Sequence, residues 1–491
     1  MLKKILPALN SAPLFTVASS RLIEAAASGQ SLMERAGLAV AKLALAVAAE
    51  GTIWVVCGAG NNGGDGLVAA RLLHLIGRRV QVSLMTGTQP PDAQIALQAA
   101  RQAGVAISDE IAAPPDTALA IDALLGLGLN RAPSLAIAAA ITQLNALAAP
   151  ILSVDLPSGL LADTGALAGD EAVRATHTLA LLTLKPGLFT AQGRVQCGTL
   201  WFDDLGVSLA QPADALLLGA ECLSVLAQRS VASHKGSHGD VLVAGGAPGL
   251  RGAALLAARA ALAAGAGRVF ACLLGADQAA EVDAARPELM LWPEARLADA
   301  AAWRDKVLVS GCGGGDVIAA LLPALLTQPR RLVLDADGLN AVATDAALRS
   351  LLGARATNGQ ATILTPHPLE AARLLQCSSA EIQTDRLAAA QALADQFGST
   401  VILKGSGSVI ASPGCTPAIN PSGSAALATA GTGDVLAGWI GGLWAQQPLA
   451  QAHALACAAT FWHGAAGETQ VAGPLRAADL VERMHALHGR F

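Results

Sequence analysis

Short apolar runs alternate with helix-length segments along this 491-residue chain, and this alternation limits the fold more than any other feature. Each run is long enough for a buried strand. In the first half the runs are residues 52–57, 80–85, 119–125 and 151–155, with a further strand-like run at 178–184. The helical segments between or before them are residues 32–50, 67–76, 93–103 and 135–147. Strands separated by helices of this length predict a parallel sheet covered on both faces.

The alternation pauses around residues 205–230 and then starts again. The second set of predicted strands is 241–246, 268–274, 307–310, 332–335, 361–365 and 400–404, followed by a helix-rich tail from Asp434. At roughly 150 residues per domain, this length allows two to four domains. The restart favours two α/β domains, 1–215 and 216–491, with a boundary uncertain by about ten residues.

The high mean hydropathy of +0.48 raises the question of a membrane protein. A spanning helix needs about 20 predominantly apolar residues. The uncharged stretches 132–154 and 435–467 are interrupted by proline, glutamine or histidine, so we expect buried helices packed through alanine and no membrane span. Residues 3–7 do not form a signal-peptide core, which also favours a cytoplasmic protein.

The charge and the cysteines limit the partners and the compartment. The net charge is −5, which argues against binding to a nucleic-acid backbone. The eight cysteines form no CxxC pair, so we expect free thiols in a reducing compartment. These features favour small-molecule substrates.

A glycine-rich segment, GAGNNGGDG at 58–66, directly follows the first buried strand. It satisfies GxGxxG, a pattern that lets the backbone approach a phosphate at a helix N-terminus. The acid expected about 20 residues later in dinucleotide-binding proteins is missing from residues 83–85. The polar residues Asn61, Asn62 and Asp65 indicate that this segment also contacts hydroxyl groups or a cation. The alternative is a tight turn with capping side chains.

Three aspartates, Asp65, Asp122 and Asp155, follow predicted strands of the first half. Ligands of open parallel sheets bind beyond the carboxyl ends of the strands, so these side chains are expected to meet there. Carboxylate, hydroxyl and carbonyl oxygens together suit a hard cation. Lys185 is predicted near them, either in the site or as a loop anchor. Helix capping is the alternative for each single aspartate.

In the second half, GTGD at 431–434 is the strongest chemical signal. Glycines at a helix start expose N–H groups that stabilise a developing anion, and Asp434 beside them can take a proton from a hydroxyl group. An N-capped helix is the alternative.

The segment KGSGS at 404–408 could bind phosphate, and His367, DADGLN at 335–340 and GCGGG at 311–315 also follow strands. A histidine such as His367, taken alone, is more often a structural or capping residue than a ligand. Neither a P-loop nor an HExxH or CxxC metal motif occurs.

These motifs, in this order, resemble the bifunctional enzymes that join an NAD(P)H-hydrate epimerase to an ADP-dependent (S)-NAD(P)H-hydrate dehydratase. The resemblance spans nearly the whole chain. In the first half it rests on GAGNNGGDG (58–66), DALLGLGLNR (122–131), VDLPSG (154–159) and KPG (185–187). In the second half it rests on HKGSHG (234–239), DADGLN, TPHPLE (365–370), KG (404–405) and GTGD. It implies a Rossmann-like three-layer αβα domain followed by a ribokinase-like α/β domain.

The resemblance also implies roles for individual residues. The catalytic residues would be Asp434 and Asp155, and a potassium ion would be held by Asn62, Asp122 and Ser158. Hydrate contacts in the first domain are implied for Asn61, Asn62, Gly63, Gly64, Asp65, Gly126, Leu127, Gly128, Leu129, Asn130, Arg131, Ala132 and Asp155. Hydrate contacts in the second domain are implied for Ala253, Gly313, His367 and Asp434. The adenine nucleotide, bound with Mg²⁺, would contact Lys404, Gly405, Ser406, Gly407, Ser408 and Gly433.

By this resemblance, the first domain interconverts the R and S forms of hydrated NADH or NADPH, and the second dehydrates the S form with ADP, giving NAD(P)H, AMP and phosphate. A homo-oligomer is also expected. Members of the family often have GPGLG where this chain has GCGGG at 311–315, glycine where it has Ala430, and asparagine where it has Ser424. These differences concern the affinity for the nucleotide more than the activity. Two alternatives remain open: a vitamin or sugar kinase with a regulatory first domain, and a nucleotide-binding scaffold. ATP remains an alternative donor.

Overall fold

The computed structural model describes residues 2–7, 10–226, 229–275, 282–468 and 473–489. The chain divides into two compact units. The first is Met1–Pro7 with Pro13–Ala215, and the second is Ala8–Ala12 with Leu216–Phe491. Within the described residues, no helix is long and apolar enough to cross a membrane.

The first unit is built on a mainly parallel sheet. Its strands are β1 (Lys3–Lys4), β3 (Thr52–Cys57), β4 (Val80–Leu84), β5 (Ala106–Ser108), β6 (Thr117–Ala123), β7 (Ile151–Val154), β8 (His177–Leu181) and β9 (Thr199–Asp203). The short strand β2 (Ala12–Leu14), where the chain divides between the units, is not part of this sheet. Its helices are α1 (Val17–Ala26), α2 (Leu32–Val47), α3 (Asn61–Leu75), α4 (Pro91–Gln102), α5 (Leu135–Asn145) and α6 (Gly193–Gln196). The sheet order is β1-β9-β8-β7-β6-β3-β4-β5, and only the β1–β9 pairing is antiparallel.

Strand β3 shows why the apolar runs form this sheet. All six of its residues are buried. Ile53 and Val55 face a core shared with α2, α3 and α4, whereas Trp54 and Val56 face a second core shared with α5. Because successive side chains point to opposite faces, a strand that is apolar throughout requires helices on both sides. The predicted three-layer αβα architecture is confirmed.

The start of helix α3 differs from the sequence prediction. Residues 58–66 were expected to form a loop before a helix at 67, but the helix begins at Asn61, with Gly60 as its extended N-cap. The helical glycines serve close packing: a Cβ at Gly63 would collide with the Gly58 carbonyl oxygen, and a Cβ at Gly64 with the Met33 side chain. Only the first part of the glycine-rich segment is therefore a loop.

The second unit contains a larger sheet. Its strands are β10 (Ala215–Leu217), β11 (Asp240–Gly245), β12 (Arg268–Leu273), β13 (Met290–Trp292), β14 (Val307–Ser310), β15 (Arg331–Leu334), β16 (Ala361–Leu364), β17 (Thr400–Leu403), β18 (Val409–Ala411) and β19 (Ala418–Ile419). Their order is β13-β12-β11-β14-β15-β16-β17-β18-β19-β10. The pairings from β13 to β17 are parallel, and β18 is antiparallel to both β17 and β19.

Helices cover both faces of this sheet as well. They are α7 (Arg251–Ala263), α8 (Ile318–Thr327), α9 (Ala336–Thr344), α10 (Ala346–Thr357), α11 (Pro368–Leu375), α12 (Ser379–Thr384), α13 (Arg386–Phe397), α14 (Thr432–Gln446), α15 (Ala452–Glu468) and α16 (Ala477–Ala486). One core lies between the sheet and α7, α14, α15 and α16, and the other lies between the sheet and α8 to α13. The arrangement is the predicted α/β fold, a mainly parallel sheet covered by helices on both faces. The uncharged stretch 435–467 forms α14 and α15 inside this core rather than a membrane span.

Helices α7 and α14 approach closely because small residues line their contact. Gly438 of α14 faces Ala257 of α7, and a Cβ at Gly438 would collide with the Ala257 carbonyl oxygen. The hydropathy of these segments therefore reflects alanine and glycine packing within a protein core.

We expect the substitution Gly438→Ala to destabilise the protein by about 1–3 kcal/mol, because the added methyl group must push two packed helices apart. Urea unfolding of the full chain measures this effect. Gly353→Ala is the matched control, since Gly353 lies within α10 with nothing within 4 Å of an added Cβ. That control should gain roughly 0.5–1 kcal/mol from helix propensity. Equal stability changes in the two variants would contradict the packing account.

Candidate functional site

Asp122, at the carboxyl end of β6, is the centre of a polar cluster in the first unit. It is fully buried. Its Oδ2 accepts hydrogen bonds from the Ser153 hydroxyl at 2.8 Å and the Ser158 amide at 2.9 Å, and its Oδ1 accepts from the Ser158 hydroxyl at 2.6 Å. Burial raises the pKa of Asp122, and the hydrogen bonds from Ser158 and Ser153 oppose that rise.

Asn62 joins this cluster through the backbone at Leu125. Asn62 Nδ2 donates to the Leu125 carbonyl at 3.0 Å, and the Ser158 hydroxyl lies 3.3 Å from the same oxygen. An added Cβ at Gly126 would lie 3.2 Å from Asn62 Oδ1, so that amide oxygen faces the start of the 126–132 loop. The structure therefore brings together Asn62, Asp122 and Ser158, the three residues for which a cation was expected.

Asp155 lies directly after β7 in a left-handed conformation, with φ of 65°. This conformation is rare outside glycine and occurs often in active sites. The fully buried Lys185 ammonium donates to Asp155 Oδ1 and, at 2.8 Å, to the Leu181 carbonyl. The Leu181 amide donates to the same carboxylate oxygen at 3.1 Å. Lys185 is therefore a buried anchor that holds the Asp155 carboxylate in place.

Asp65, on the first turns of α3, interacts electrostatically with Asp155. Burial raises the pKa of Asp65 well above its usual value, Asp155 and Glu24 raise it further, and Lys185 opposes the rise. A buried carboxyl group with a raised pKa beside a second carboxylate, as at Asp65, is a candidate proton donor in an acid–base site. Sequence reasoning missed Glu24, which lies on α1 in a segment that it did not predict to be a helix.

The other hydrate-contact positions predicted in the first unit fall into two groups. Gly63 and Gly64 are buried helix-packing residues, whereas Asn61 at the helix start is exposed. In the 126–132 loop, the exposed residues are Gly128, Asn130, Arg131 and Ala132, and the half-buried ones are Gly126, Leu127 and Leu129.

In the second unit, helix α14 begins at the predicted GTGD segment. Gly431 is the N-cap in a left-handed conformation, with φ of 92°, and Asp434 lies in the first turn. The thiol sulfur of Cys312 and the carboxylate oxygens of Asp335 and Asp434 all lie within 4.8 Å of one another. The Lys404 ammonium donates to Asp335 Oδ1 at 2.7 Å. Residues from the ends of three strands therefore meet at the start of α14.

The electrostatics of this cluster act mainly on Asp434. Burial and the neighbouring Asp335 raise the pKa of Asp434 to about 6, and Asp337 raises it too. Cys312 and Lys404 act in the opposite direction. A carboxyl group with this pKa is ionised near neutral pH yet remains a better proton acceptor than an ordinary aspartate.

Lys404 also lies close to the first turn of α14. An added Cβ at Gly433 would lie 3.2 Å from the Lys404 Nζ atom. The lysine ammonium and the exposed N–H groups of a helix start together attract a phosphate group. The predicted nucleotide residues Lys404 and Gly433 are therefore adjacent.

The backbone at the turn after Lys404 accepts hydrogen bonds from a buried arginine that was not predicted from the sequence. Arg386, 1% exposed, donates to the carbonyl oxygens of Leu403 at 3.1 Å and Lys404 at 3.2 Å. Gly405 has a φ of 143°, and an added Cβ would lie 2.9 Å from the Arg386 guanidinium. Among the remaining predicted nucleotide residues, Ser406 is exposed, Gly407 is buried and Ser408 is half-buried.

His367 has a capping role in the structure. Its Nδ1 accepts from the amides of Leu369 at 3.1 Å and Glu370 at 3.3 Å, and its own amide donates to Glu370 Oε2 at 2.8 Å. This reciprocal arrangement starts α11. The two other predicted hydrate residues, Gly313 and Ala253, are neighbours, since an added Cβ at Gly313 would lie 2.9 Å from that of Ala253.

Two family models match the chain. The model described as "YjeF-related protein N-terminus" matches residues 29–187, and the model described as "NAD(P)H-hydrate dehydratase" matches residues 241–485. The ribokinase-like superfamily protein of Enterococcus faecalis, a solved structure, is 24% identical, with a TM-score of 0.47 over 56% of this chain and 95% of that one.

Curated relatives match over most of both chains. The bifunctional NAD(P)H-hydrate repair enzyme of Escherichia coli is 38% identical over 90% of this chain and 85% of its own length. The enzyme of the same name from Leishmania braziliensis is 37% identical over 94% of this chain and 90% of its own length. On this similarity over nearly the full length of both chains, the protein belongs to the family of bifunctional NAD(P)H-hydrate repair enzymes.

Proposed function

We propose that residues 216–491 dehydrate the S form of hydrated NADH or NADPH at the expense of ADP, and that residues 1–215 interconvert the R and S forms. The observation that carries this proposal is the position of Asp434 in the first turn of α14, with Lys404 beside the same turn. A proton acceptor next to a phosphate-binding helix start suits transfer of a phosphoryl group to a hydroxyl group.

In the proposed dehydration, the ring hydroxyl of the hydrate attacks the β-phosphorus of ADP. Asp434 takes the hydroxyl proton, a new P–O bond forms, and the bond between the phosphorus and the AMP oxygen breaks. The C–O bond of the phosphorylated ring then breaks and the adjacent carbon loses a proton, which gives NAD(P)H and free phosphate. The phosphoryl step makes sense because phosphate is a far better leaving group than hydroxide.

Residues 404–408 and Gly433 are proposed to hold the ADP phosphates, and Mg²⁺ is proposed to accompany them. The nearby carboxylates already have partners: Asp335 accepts from Lys404, and Glu370 accepts from the His367 amide. This set fits a Mg²⁺ ion held chiefly by nucleotide phosphate oxygens and water. When bound, the ion would neutralise phosphate charge. Gly313, Ala253 and His367 are proposed to contact the hydrate.

For epimerisation, Asp155 is proposed as the catalytic residue that exchanges a proton with the hydrate. Its carboxylate is held by the buried Lys185, and Asp65 nearby has a raised pKa that suits a proton donor. Residues 61–65 and the loop 126–132 are proposed to bind the nucleotide part of the hydrate.

A potassium ion is proposed at Asn62, Asp122 and Ser158. The atoms that could coordinate the ion are the oxygens of the Asn62 amide, the Asp122 carboxylate, the Ser158 hydroxyl and the Leu125 carbonyl. A set of oxygen ligands fits a hard cation. When bound, the ion would offset the charge of the buried Asp122. The structure offers no nitrogen or sulfur ligand in this set.

A cytoplasmic location and a homo-oligomeric state complete the proposal. All eight cysteines are free, which suits a reducing compartment. Sedimentation of the purified chain tests the oligomeric state.

Product analysis tests the proposed function against the kinase alternative. The purified full chain is incubated with S hydrate and either ADP or ATP, and AMP, free phosphate and reduced-nicotinamide absorbance are measured. We expect equal amounts of AMP, phosphate and NAD(P)H with ADP. A stable phosphoester in place of free phosphate would support a kinase, and no turnover would support a scaffold.

The raised pKa of Asp434 predicts how dehydration depends on pH. The charged and titratable groups facing Asp434 are Asp335, Asp337, Lys404 and Cys312. Because the base must be ionised, kcat/KM for the hydrate, which reports the free enzyme, should be constant at neutral pH and fall below about pH 6, by about tenfold per pH unit. Initial rates between about pH 4.5 and pH 8 check this. A profile that stays flat to about pH 4.5 would contradict the role of Asp434.

A further inference from the structure

Cys312 lies beside Asp434, although it belongs to the turn after β14 and was expected only as part of a glycine segment. It is fully buried. Its sulfur and the carboxylate oxygens of Asp335 and Asp434 lie within 4.8 Å of one another. Unlike a cysteine surrounded by apolar side chains, Cys312 therefore lies close enough to the proposed base to affect it.

The backbone fixes Cys312 in this position. Its flanking residues Gly311 and Gly313 both have left-handed conformations, with φ of 105° and 57°. The Cys312 carbonyl accepts from the Gly246 amide at 3.0 Å, and the Gly313 carbonyl accepts from the Ala247 amide at 2.7 Å. The turn is therefore hydrogen-bonded to the residues that follow β11, which fixes the position of the Cys312 backbone and the direction of its Cα–Cβ bond.

The chemistry of the cluster makes Cys312 a hydrogen-bond donor. Burial and the two neighbouring carboxylates raise the pKa of the Cys312 thiol well above its usual value, so the sulfur keeps its proton. Asp335 already accepts from Lys404 at 2.7 Å. The carboxylate of Asp434 is then the natural acceptor for the S–H group, a weak but directional donor.

We propose that Cys312 is a positioning residue of the dehydratase, whose thiol donates a hydrogen bond to the Asp434 carboxylate and orients its free oxygen toward the hydroxyl group of the hydrate. The proposal rests on the proposed role of Asp434 as the base. It assigns Cys312 no contact with ADP or with the hydrate.

The test compares Cys312→Ala with Cys312→Ser in the full chain, using S hydrate and ADP. We expect Cys312→Ala to lower kcat about tenfold with both KM values unchanged, because the base is less well oriented. The acid limb of the kcat profile should move to higher pH, because a donor that favours the ionised carboxylate is lost. Cys312→Ser, which keeps a donor, should restore most of kcat and return the limb toward the wild-type position.

Cys272→Ala is the matched control, since Cys272 is also fully buried, in strand β12 of the same sheet. It should lose comparable thermal stability without changing kcat or the pH profile. Wild-type kcat and pH dependence in Cys312→Ala would overturn the proposal, as would equal losses in Cys312→Ala and Cys312→Ser. A wild-type chain without dehydratase activity would instead overturn the proposed function, so the two failures are distinguishable.

Discussion

Replacing Asp434 with asparagine should lower the turnover of dehydration by about 10²- to 10⁴-fold while epimerisation continues at the wild-type rate. Asparagine keeps the shape of the side chain and loses the proton-accepting carboxylate. The first turn of α14 and the adjacent Lys404 remain in place, so ADP should still bind with a similar affinity. Stopped reactions with pure S hydrate and ADP measure the loss, and conversion of R to S hydrate measures the other activity.

Asp479→Asn is the control for this change. Asp479 is a partly exposed aspartate in the first turn of α16 that pairs with Arg476 at 2.6 Å. The same chemical substitution there should leave both activities unchanged. Wild-type dehydration by Asp434→Asn would remove the central residue of the proposed mechanism.

Replacing Asp155 with asparagine should have the opposite pattern, a loss of about 10²- to 10⁴-fold in epimerisation with dehydration of pure S hydrate unchanged. The expectation follows from the geometry of Asp155, which has a left-handed backbone conformation and whose carboxylate forms an ion pair with the buried Lys185. The rate of R-to-S conversion, followed by separating the two forms, is the measurement. The rate of dehydration in the same protein checks that the chain is folded.

The stability of this variant needs its own control, because the substitution leaves the Lys185 ammonium buried without its partner. Breaking such a pair costs about 3–5 kcal/mol. The double variant Asp155→Asn with Lys185→Met removes the orphaned charge and should fold while remaining inactive as an epimerase. Asp116→Asn, at a surface pair with Arg79 of 2.9 Å, should retain full activity. Normal epimerisation by the double variant would show that Asp155 is not needed.

The strands were predictable from sequence to within a few residues because a strand buried on both faces is a continuous apolar run. Strands β3 and β14 match their predicted limits, β15 is shifted by one residue at both ends, and β16 ends one residue early. The helix α1 and the short antiparallel β18 were not predicted. Helix α1 carries polar residues on its exposed face, and β18 is only three residues long, too short for a periodic signal.

Part of the site was predictable from sequence, because the carboxyl ends of parallel strands lie together at one edge of a sheet. That argument anticipated that Asp122 and Asp155 lie at the carboxyl ends of neighbouring parallel strands, and that Asp434 lies at a helix start. It could not anticipate that Cys312 meets Asp434, or that Arg386 supports the turn after Lys404. Both contacts join residues far apart in the sequence. Local patterns carry no signal for them, since a buried cysteine looks like core and an arginine at a helix start looks solvent-exposed.

The recovery of reduced-nicotinamide absorbance from a mixed R and S hydrate with ADP tests the central claim most directly. The wild-type chain should restore the absorbance completely, because epimerisation feeds the R form into dehydration. Asp155→Asn should restore only the fraction present as S hydrate, and Asp434→Asn should restore almost none. Complete recovery by either variant, or recovery limited to the S fraction by the wild-type chain, would contradict the assignment of one activity to each unit.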